Sequence, residues 1–265
     1  MPTSVDRRIH LRSASNFRDL GGLPVSGGHI RPREVFRSAS LARLTDDEFG
    51  RLDELSITTV YDLRTEAERA AQPDRLPDTA RAVGLDVLAD GTGGVAHAIG
   101  RLRDEPLLVN ELLKGGKVKE MLEQSYREFI ELPSARHSYR TLFLDLADGE
   151  REGAALFHCT AGKDRTGWAA AALLLLLGAD DSTVRSDYLQ TNTDFLPTLK
   201  PLFESAAARG VDTDLLREAF SVQDSYLATS LEQVARTYGS IEDYFLRGLQ
   251  IDAAAIDALR ERFIA

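Results

Sequence analysis

His158-Cys159-Thr160-Ala161-Gly162-Lys163-Asp164-Arg165-Thr166-Gly167 holds the only cysteine of the chain, six residues before an arginine. Upstream, Ala154 to Phe157 is a short apolar run suited to a buried strand. Downstream, Trp168 to Leu177 is unbroken apolar residue of helix-forming type. The stretch therefore reads as a loop joining a strand to the first turn of a helix. That turn has backbone N–H groups without internal partners and gathers partial positive charge from the aligned peptide dipoles, so an anion is its natural occupant.

A loop curled around a phosphate points the amides of Thr160, Ala161, Gly162, Lys163, Asp164 and Arg165 at one centre, and the guanidinium of Arg165 can grip two oxygens in parallel. The Cys159 thiol then sits beneath phosphorus, in a positive field that favours the nucleophilic thiolate. The Thr166 hydroxyl is placed to steady the sulfur as a leaving group, and Gly162 and Gly167 allow close backbone approach. His158 reads as a support whose ring bonds the loop backbone. A cysteine taken alone is most often a small buried hydrophobe. Here that account must also explain the histidine, the glycines, the spaced arginine, the hydroxyl residue and the flanking elements, and it explains none of them.

The loop resembles the His-Cys-five-residues-Arg-Ser/Thr signature of the cysteine-dependent protein tyrosine phosphatases. Asn16-Phe17-Arg18-Asp19-Leu20-Gly21-Gly22, Phe36-Arg37-Ser38 and Tyr61-Asp62-Leu63-Arg64 fall in the order of a bacterial branch typified by mycobacterial protein tyrosine phosphatase B. Ala161-Gly162-Lys163-Asp164-Arg165-Thr166-Gly167 matches that branch too, and Asp187-Tyr188-Leu189 and Tyr238-Gly239-Ser240 match it more loosely. The stretch from Asp90 to Lys119 has no counterpart in the resemblance. The likeness implies an α/β cysteine-dependent phosphatase fold, a cysteinyl-phosphate mechanism, and action on phosphotyrosine, on phosphoserine or phosphothreonine, and on phosphoinositides. It also implies that an aspartate inside the loop serves as general acid, which here is Asp164. Asp86 and Asp90, at the end of an expected strand, remain the alternative.

At 265 residues and 43% hydrophobic content the chain can bury a large core, and it is read as a single domain over 1–265. A net charge of −10 speaks against a nucleic-acid partner, because phosphate backbones reward clustered Lys and Arg. An acidic enzyme acting on anionic esters needs local positive charge. Lys163, Arg165 and the loop amides supply it, with Arg18 and Arg64 as further candidates. The histidines at 10, 29, 97, 137 and 158 are scattered without ligand spacing, so neither metal nor cofactor is expected. One cysteine permits no intrachain disulfide, Met1 to Arg12 has no apolar core, and no apolar run reaches the roughly 20 residues of a membrane span. A cytoplasmic location without an integral membrane segment is the expectation, with signal-less export also known in the resembling branch.

Periodicity orders the remainder. Thr45-Asp46-Asp47-Glu48 has capping-box spacing, and Ile57 to Leu63 and Ala82 to Leu88 read as strands. Leu122, Tyr126, Phe129 and Ile130 make one helical stripe; Ala135, Tyr139, Leu142, Phe143 and Leu146 make a second that begins at Pro133. Glu68 to Pro77 reads as a polar connection stopped by prolines. Strands alternating with helices imply a central, mostly parallel sheet flanked by helices, followed beyond Leu189 by a helical C-terminal part. Residues 192–220, broken at Gly210, read equally as packing helices or as a lid over the site. The glycines between Asp90 and Lys119 mark the expected flexible segment.

The sequence leaves two rival functions beside a broad-specificity tyrosine phosphatase. One is a phosphoinositide phosphatase, in which Lys163 meets a second phosphate. The other is a non-catalytic module that binds phosphorylated protein, a reading that leaves Cys159 and Thr166 unexplained.

Overall fold

The computed structural model describes residues 6–91 and 105–265. Five strands form the main sheet: β1 (Arg18–Asp19), β4 (Val35–Ser38), β5 (Ile57–Asp62), β6 (Arg81–Gly84) and β7 (Ala154–His158), in the order β1-β4-β7-β5-β6. All neighbours are parallel except β1 and β4. A separate hairpin joins β2 (Pro24–Val25) to β3 (Gly28–His29).

Side chains of the central strand alternate between two apolar cores. Ala155 and Phe157 face the larger one, while Ala154 and Leu156 face the smaller. The smaller core is closed by α1 (Asp46–Glu54), through Leu52, and by the N-terminal segment, through Ile9, Leu11 and Phe17. The larger one takes the buried stripes of α4 (Lys117–Glu131) and α5 (Pro133–Ala147), which carry the residues expected from the periodicity. At its centre lies α6 (Arg165–Leu176), covered on every side. Ahead of these come α2 (Glu66–Ala71) and α3 (Pro106–Leu113). After them follow α7 (Asp181–Asp194), a 3-10 turn at Leu196–Leu199, α8 (Lys200–Ala208), α9 (Thr213–Phe220), α10 (Asp224–Thr237) and, after shorter turns, α12 (Ala253–Phe263); α11 is the single turn Ile241–Asp243.

Three expectations change. The strand read over Ala82 to Leu88 stops at Gly84, because the Asp86 carboxylate accepts from Leu88 N at 3.0 Å and folds the chain into a turn. The polar connection after Arg64 contains α2, begun by a capping box in which Thr65 Oγ1 accepts from Glu68 N and Glu68 Oε2 accepts from Thr65 N. The chain between Asp90 and Lys119 is in part α3 and the start of α4, and residues 92–104 of that expectation lie outside the described residues. Among the described residues no helix is long and apolar enough to cross a membrane.

Candidate active site

Parallel pairing sets His158, the last residue of β7, between Ser38 of β4 and Asp62 of β5, so the loop leaves the sheet at the carboxyl ends of three strands. Open α/β sheets bind ligands at that edge. Cys159 is 2% exposed. The loop carbonyls are engaged by the protein: Thr160 O accepts from Ser40 N at 3.1 Å, Ala161 O and Gly162 O from Asn16 Nδ2 at 3.1 and 2.9 Å, and Gly162 O also from Arg37 Nη2 at 2.8 Å. The amides of Thr160 to Asp164 donate to no protein acceptor among the described residues. Peptide planes whose carbonyls are tied back turn their N–H groups the opposite way, towards a common anion. Gly162 makes this approach feasible, since it has φ +65° and a Cβ there would lie 2.2 Å from Ser38 O.

Arg37, one of the residues that hold the loop, belongs to a buried charge network. Asp187 of α7 accepts from Arg37 Nη1 at 2.7 Å, Arg18 Nε at 3.0 Å and Arg7 Nη2 at 2.9 Å. Burial would raise its pKa, but these arginines hold it far below the carboxylate range. Burial, and then the neighbouring Arg18, bring Arg37 down to about 10 against the opposing pull of Asp187. Asn16, at φ +57°, passes its side-chain oxygen to Arg18 while its amide holds the loop. Arg18 is thus spent on Asp187 and Asn16, and its expected role as positive charge for substrate is withdrawn.

Arg165 faces Glu68, with Nη1 to Oε2 at 2.6 Å and Nη2 to Oε1 at 2.9 Å, and Nη1 also donates to Leu63 O at 3.3 Å. Burial opposes the Glu68 charge, but the Arg165 hydrogen bonds and charge and the Thr160 hydroxyl hold its carboxyl well below the usual range. Nη2 also donates to Thr160 Oγ1 at 3.5 Å, so of the five guanidinium donors only Nε–H is without an acceptor among the described residues. Nε–H, with the long and weak Thr160 contact of Nη2 beside it, is the edge Arg165 can turn to an oxyanion.

Behind the loop, His158 is fully buried, with Nδ1 3.1 Å from Cys159 O and Nε2 2.9 Å from Asp74 Oδ2. Burial lowers its pKa, but Asp74 and then Asp62 outweigh burial and raise it. Arg64 binds Asp62 through Nε at 2.9 Å and Nη2 at 2.6 Å, and its Nη2 lies 2.9 Å from Asp74. Asp62, Asp74 and His158 are close enough together to hold a cation. The Arg64 guanidinium already supplies the positive charge between those carboxylates, so a metal would have to displace it. Arg64, too, is withdrawn as a substrate contact.

At the helix end of the loop, Asp164 Oδ1 accepts from Lys163 Nζ at 2.9 Å and from Tyr126 OH at 3.0 Å. Lys163 is buried and also reaches Ser221 O at 3.4 Å. Thr166 Oγ1 is buried without a hydrogen-bond partner among the described residues, so its proton is uncommitted. Asp86 accepts from Glu66 N at 2.8 Å as well as from Leu88 N, and Asp90 accepts from Ser134 N and Oγ. Both alternative acids therefore cap backbone turns, whereas Asp164 lies in the loop itself.

Glu68 was absent from the sequence reading of the site, although Thr65-Glu66-Ala67-Glu68 has the spacing of a capping box. Tyr126 was read as one member of an apolar stripe, which it also is.

A family model described as "Tyrosine phosphatase family" matches residues 9–265. The chain is 31% identical to the triple specificity protein phosphatase PtpB of Mycobacterium tuberculosis, over 94% of this chain and 96% of that one. It is 28% identical to a putative tyrosine-protein phosphatase of Cupriavidus necator, over 91% and 84% of the two chains. The crystal structure of TpbA from P. aeruginosa shares 20% identity over 71% of this chain and 86% of the other, with a TM-score of 0.31 that is too low to bear on the fold.

Proposed function

The chain belongs to the tyrosine phosphatase family and is a phosphoric monoester hydrolase, and on that premise we propose that it works through a phosphocysteine formed at Cys159. The observation that carries this reading is a loop whose carbonyls are held by Asn16, Arg37 and Ser40 while its amides have no protein acceptor among the described residues. In the proposed first step Cys159 Sγ bonds to phosphorus as the bond to the leaving oxygen breaks, and Asp164 gives that oxygen a proton. The amides and the Nε edge of Arg165 hold the three remaining oxygens as charge shifts. Water then cleaves the S–P bond, with the Thr166 hydroxyl supporting the departing sulfur. Neither metal nor cofactor enters these steps.

Rapid-quench trapping of a phosphorylated enzyme, together with Cys159→Ser, tests the reading. Cys159→Ser should keep oxyanion binding and lose turnover, and residual turnover above a few per cent would reject Cys159 as nucleophile.

Phosphotyrosine in proteins is the proposed principal substrate, with phosphoserine and phosphothreonine beside it. One observation favours phosphoinositides as a further class: Lys163 sits within the loop, buried, with its ammonium between Asp164 and Ser221. Rates on phosphotyrosine peptides, phosphothreonine peptides and phosphoinositides, measured side by side, decide the range.

A further inference from the structure

Asp164 can serve as an acid only if one of its oxygens is free to carry and deliver a proton. Its two donors, Lys163 and Tyr126, both reach Oδ1. Tyr126 is completely buried, and its hydroxyl lies 2.5 Å from that of Tyr188. A phenol has one proton, so a Tyr126 that donates to Asp164 must accept from Tyr188, and the three groups form a directed chain from Tyr188 through Tyr126 to Asp164. The tyrosines are fixed in turn. Tyr126 packs on the Tyr226 ring at 6.0 Å and on Phe129 at 5.1 Å, and Ser230 Oγ donates to its carbonyl. Tyr188 lies against Gly167, where a Cβ would meet its ring at 3.0 Å, and it follows Asp187, which holds the other end of the loop through Arg37.

We propose that Tyr126 is a positioning residue that, with Lys163, occupies Oδ1 of Asp164 and leaves Oδ2 to carry the proton to the leaving oxygen. This rests on the reading of Asp164 as general acid. Lys163 and Arg165 are the charged groups facing Asp164, and Tyr126, Tyr188, Tyr139 and Tyr226 are the titratable ones. Burial and then the charge of Asp164 raise Tyr126 well above an ordinary phenol, so it keeps its proton and stays a donor.

The consequence is selective. A phenol that leaves as a stable anion needs little protonation, whereas an alkoxide needs a full proton, so the loss of Tyr126 should fall on the poor leaving groups. The test is turnover by wild type, Tyr126→Phe, Asp164→Asn and the double variant across aryl phosphates of rising leaving-group pKa, with an alkyl phosphate at the end. Tyr126→Phe should lose about fivefold to tenfold on the alkyl phosphate, in keeping with one hydrogen bond, and under about twofold on the most activated aryl ester. The double variant should be no slower than Asp164→Asn, because Tyr126 acts only through that carboxylate. Tyr188→Phe, one step further back, should show the same leaving-group dependence at smaller amplitude. A Tyr126→Phe loss equal on all esters, or one that adds to that of Asp164→Asn, would overturn the positioning role while leaving Asp164 as the acid. A flat leaving-group dependence in Asp164→Asn itself would overturn the acid reading and Tyr126 with it, without touching Cys159.

Discussion

The phosphate-binding loop and the helical segment over 192–222 are held in opposite ways. The loop is bonded by Asn16 from the segment before β1, by Arg37 of β4 and by Ser40 just after β4, and its arginine is gripped by Glu68 of α2. Every one of these contacts joins parts of the chain far apart in sequence. The 192–222 segment is tied at its ends, where Asn192 and Val222 exchange two hydrogen bonds of 2.8 Å, and at its middle, where Asn110 of α3 donates to Gly210 O at 3.0 Å and accepts from Asp212 N at 2.9 Å. Between its ends only Phe195, Ala206, Val211, Leu216 and Ala219 are buried, and Phe203 and Arg217 line an open cavity of about 440 Å³. A loop that must aim amides within fractions of an ångström is over-determined by buried charge, whereas a segment with few buried side chains is the part of a fold that opens at low cost. That contrast supports the lid reading of 192–220 as a proposal.

The comparison breaks most readily at Asp187. Asn in its place leaves three arginines without their counter-charge inside the protein, and the expected cost is about 3–5 kcal/mol in urea unfolding, with loss of phosphate binding. A cost below about 1 kcal/mol would mean that the loop does not depend on this network. Asn16→Ala tests the loop more locally. With the Ala161 carbonyl released and that of Gly162 left to Arg37 alone, inhibition by inorganic phosphate should weaken about tenfold, a change in Ki larger than any change in unfolding midpoint. The reverse pattern would assign Asn16 to stability alone.

The pair behind the loop gives a pH dependence. His158 is raised, so its share of stability is complete below about pH 6.5 and is lost as pH climbs through the folded value. Asp74 is lowered, burial being outweighed by His158 and Arg64, so its share is present above about pH 4 and is lost as pH falls through the folded value. The difference in unfolding midpoint between wild type and Asp74→Asn should therefore be widest from about pH 4 to 6.5 and narrow at pH 9. A difference that grows towards pH 9 would show that His158 is not the partner being read. On the lid side the smallest effects are expected. Asn192→Ala should cost about 1 kcal/mol or less and act mainly on KM. Limited trypsin digestion should cut at Arg209 or Arg217 before Lys163 or Arg165; first cleavage in the loop would invert the contrast.

Much of this was legible before folding. Two stripes with a 3.6-residue period became α4 and α5, and the apolar runs on either side of the cysteine became β7 and α6. The strand β4 was hidden because its centre, Arg37, is a buried charge, and an arginine interrupts the apolar pattern by which a strand is found. Arg18 and Arg64 were read as charge for the substrate for the same reason: sequence displays the cation and conceals its partner.

By itself the sequence determined the chemistry a loop of this composition can support, since cysteine, glycine, arginine and hydroxyl act over a few residues at fixed spacing. It also determined the local elements, since helix and strand periods are set by backbone geometry. Only the tertiary structure decided which charges are available. Asp187 lies 150 residues from Arg37, Glu68 lies 97 from Arg165, and Tyr126 lies 38 from Asp164. Whether a charge faces substrate or is neutralised inside the fold depends on what packs against it, and that is set by the joint burial of distant segments rather than by any local pattern.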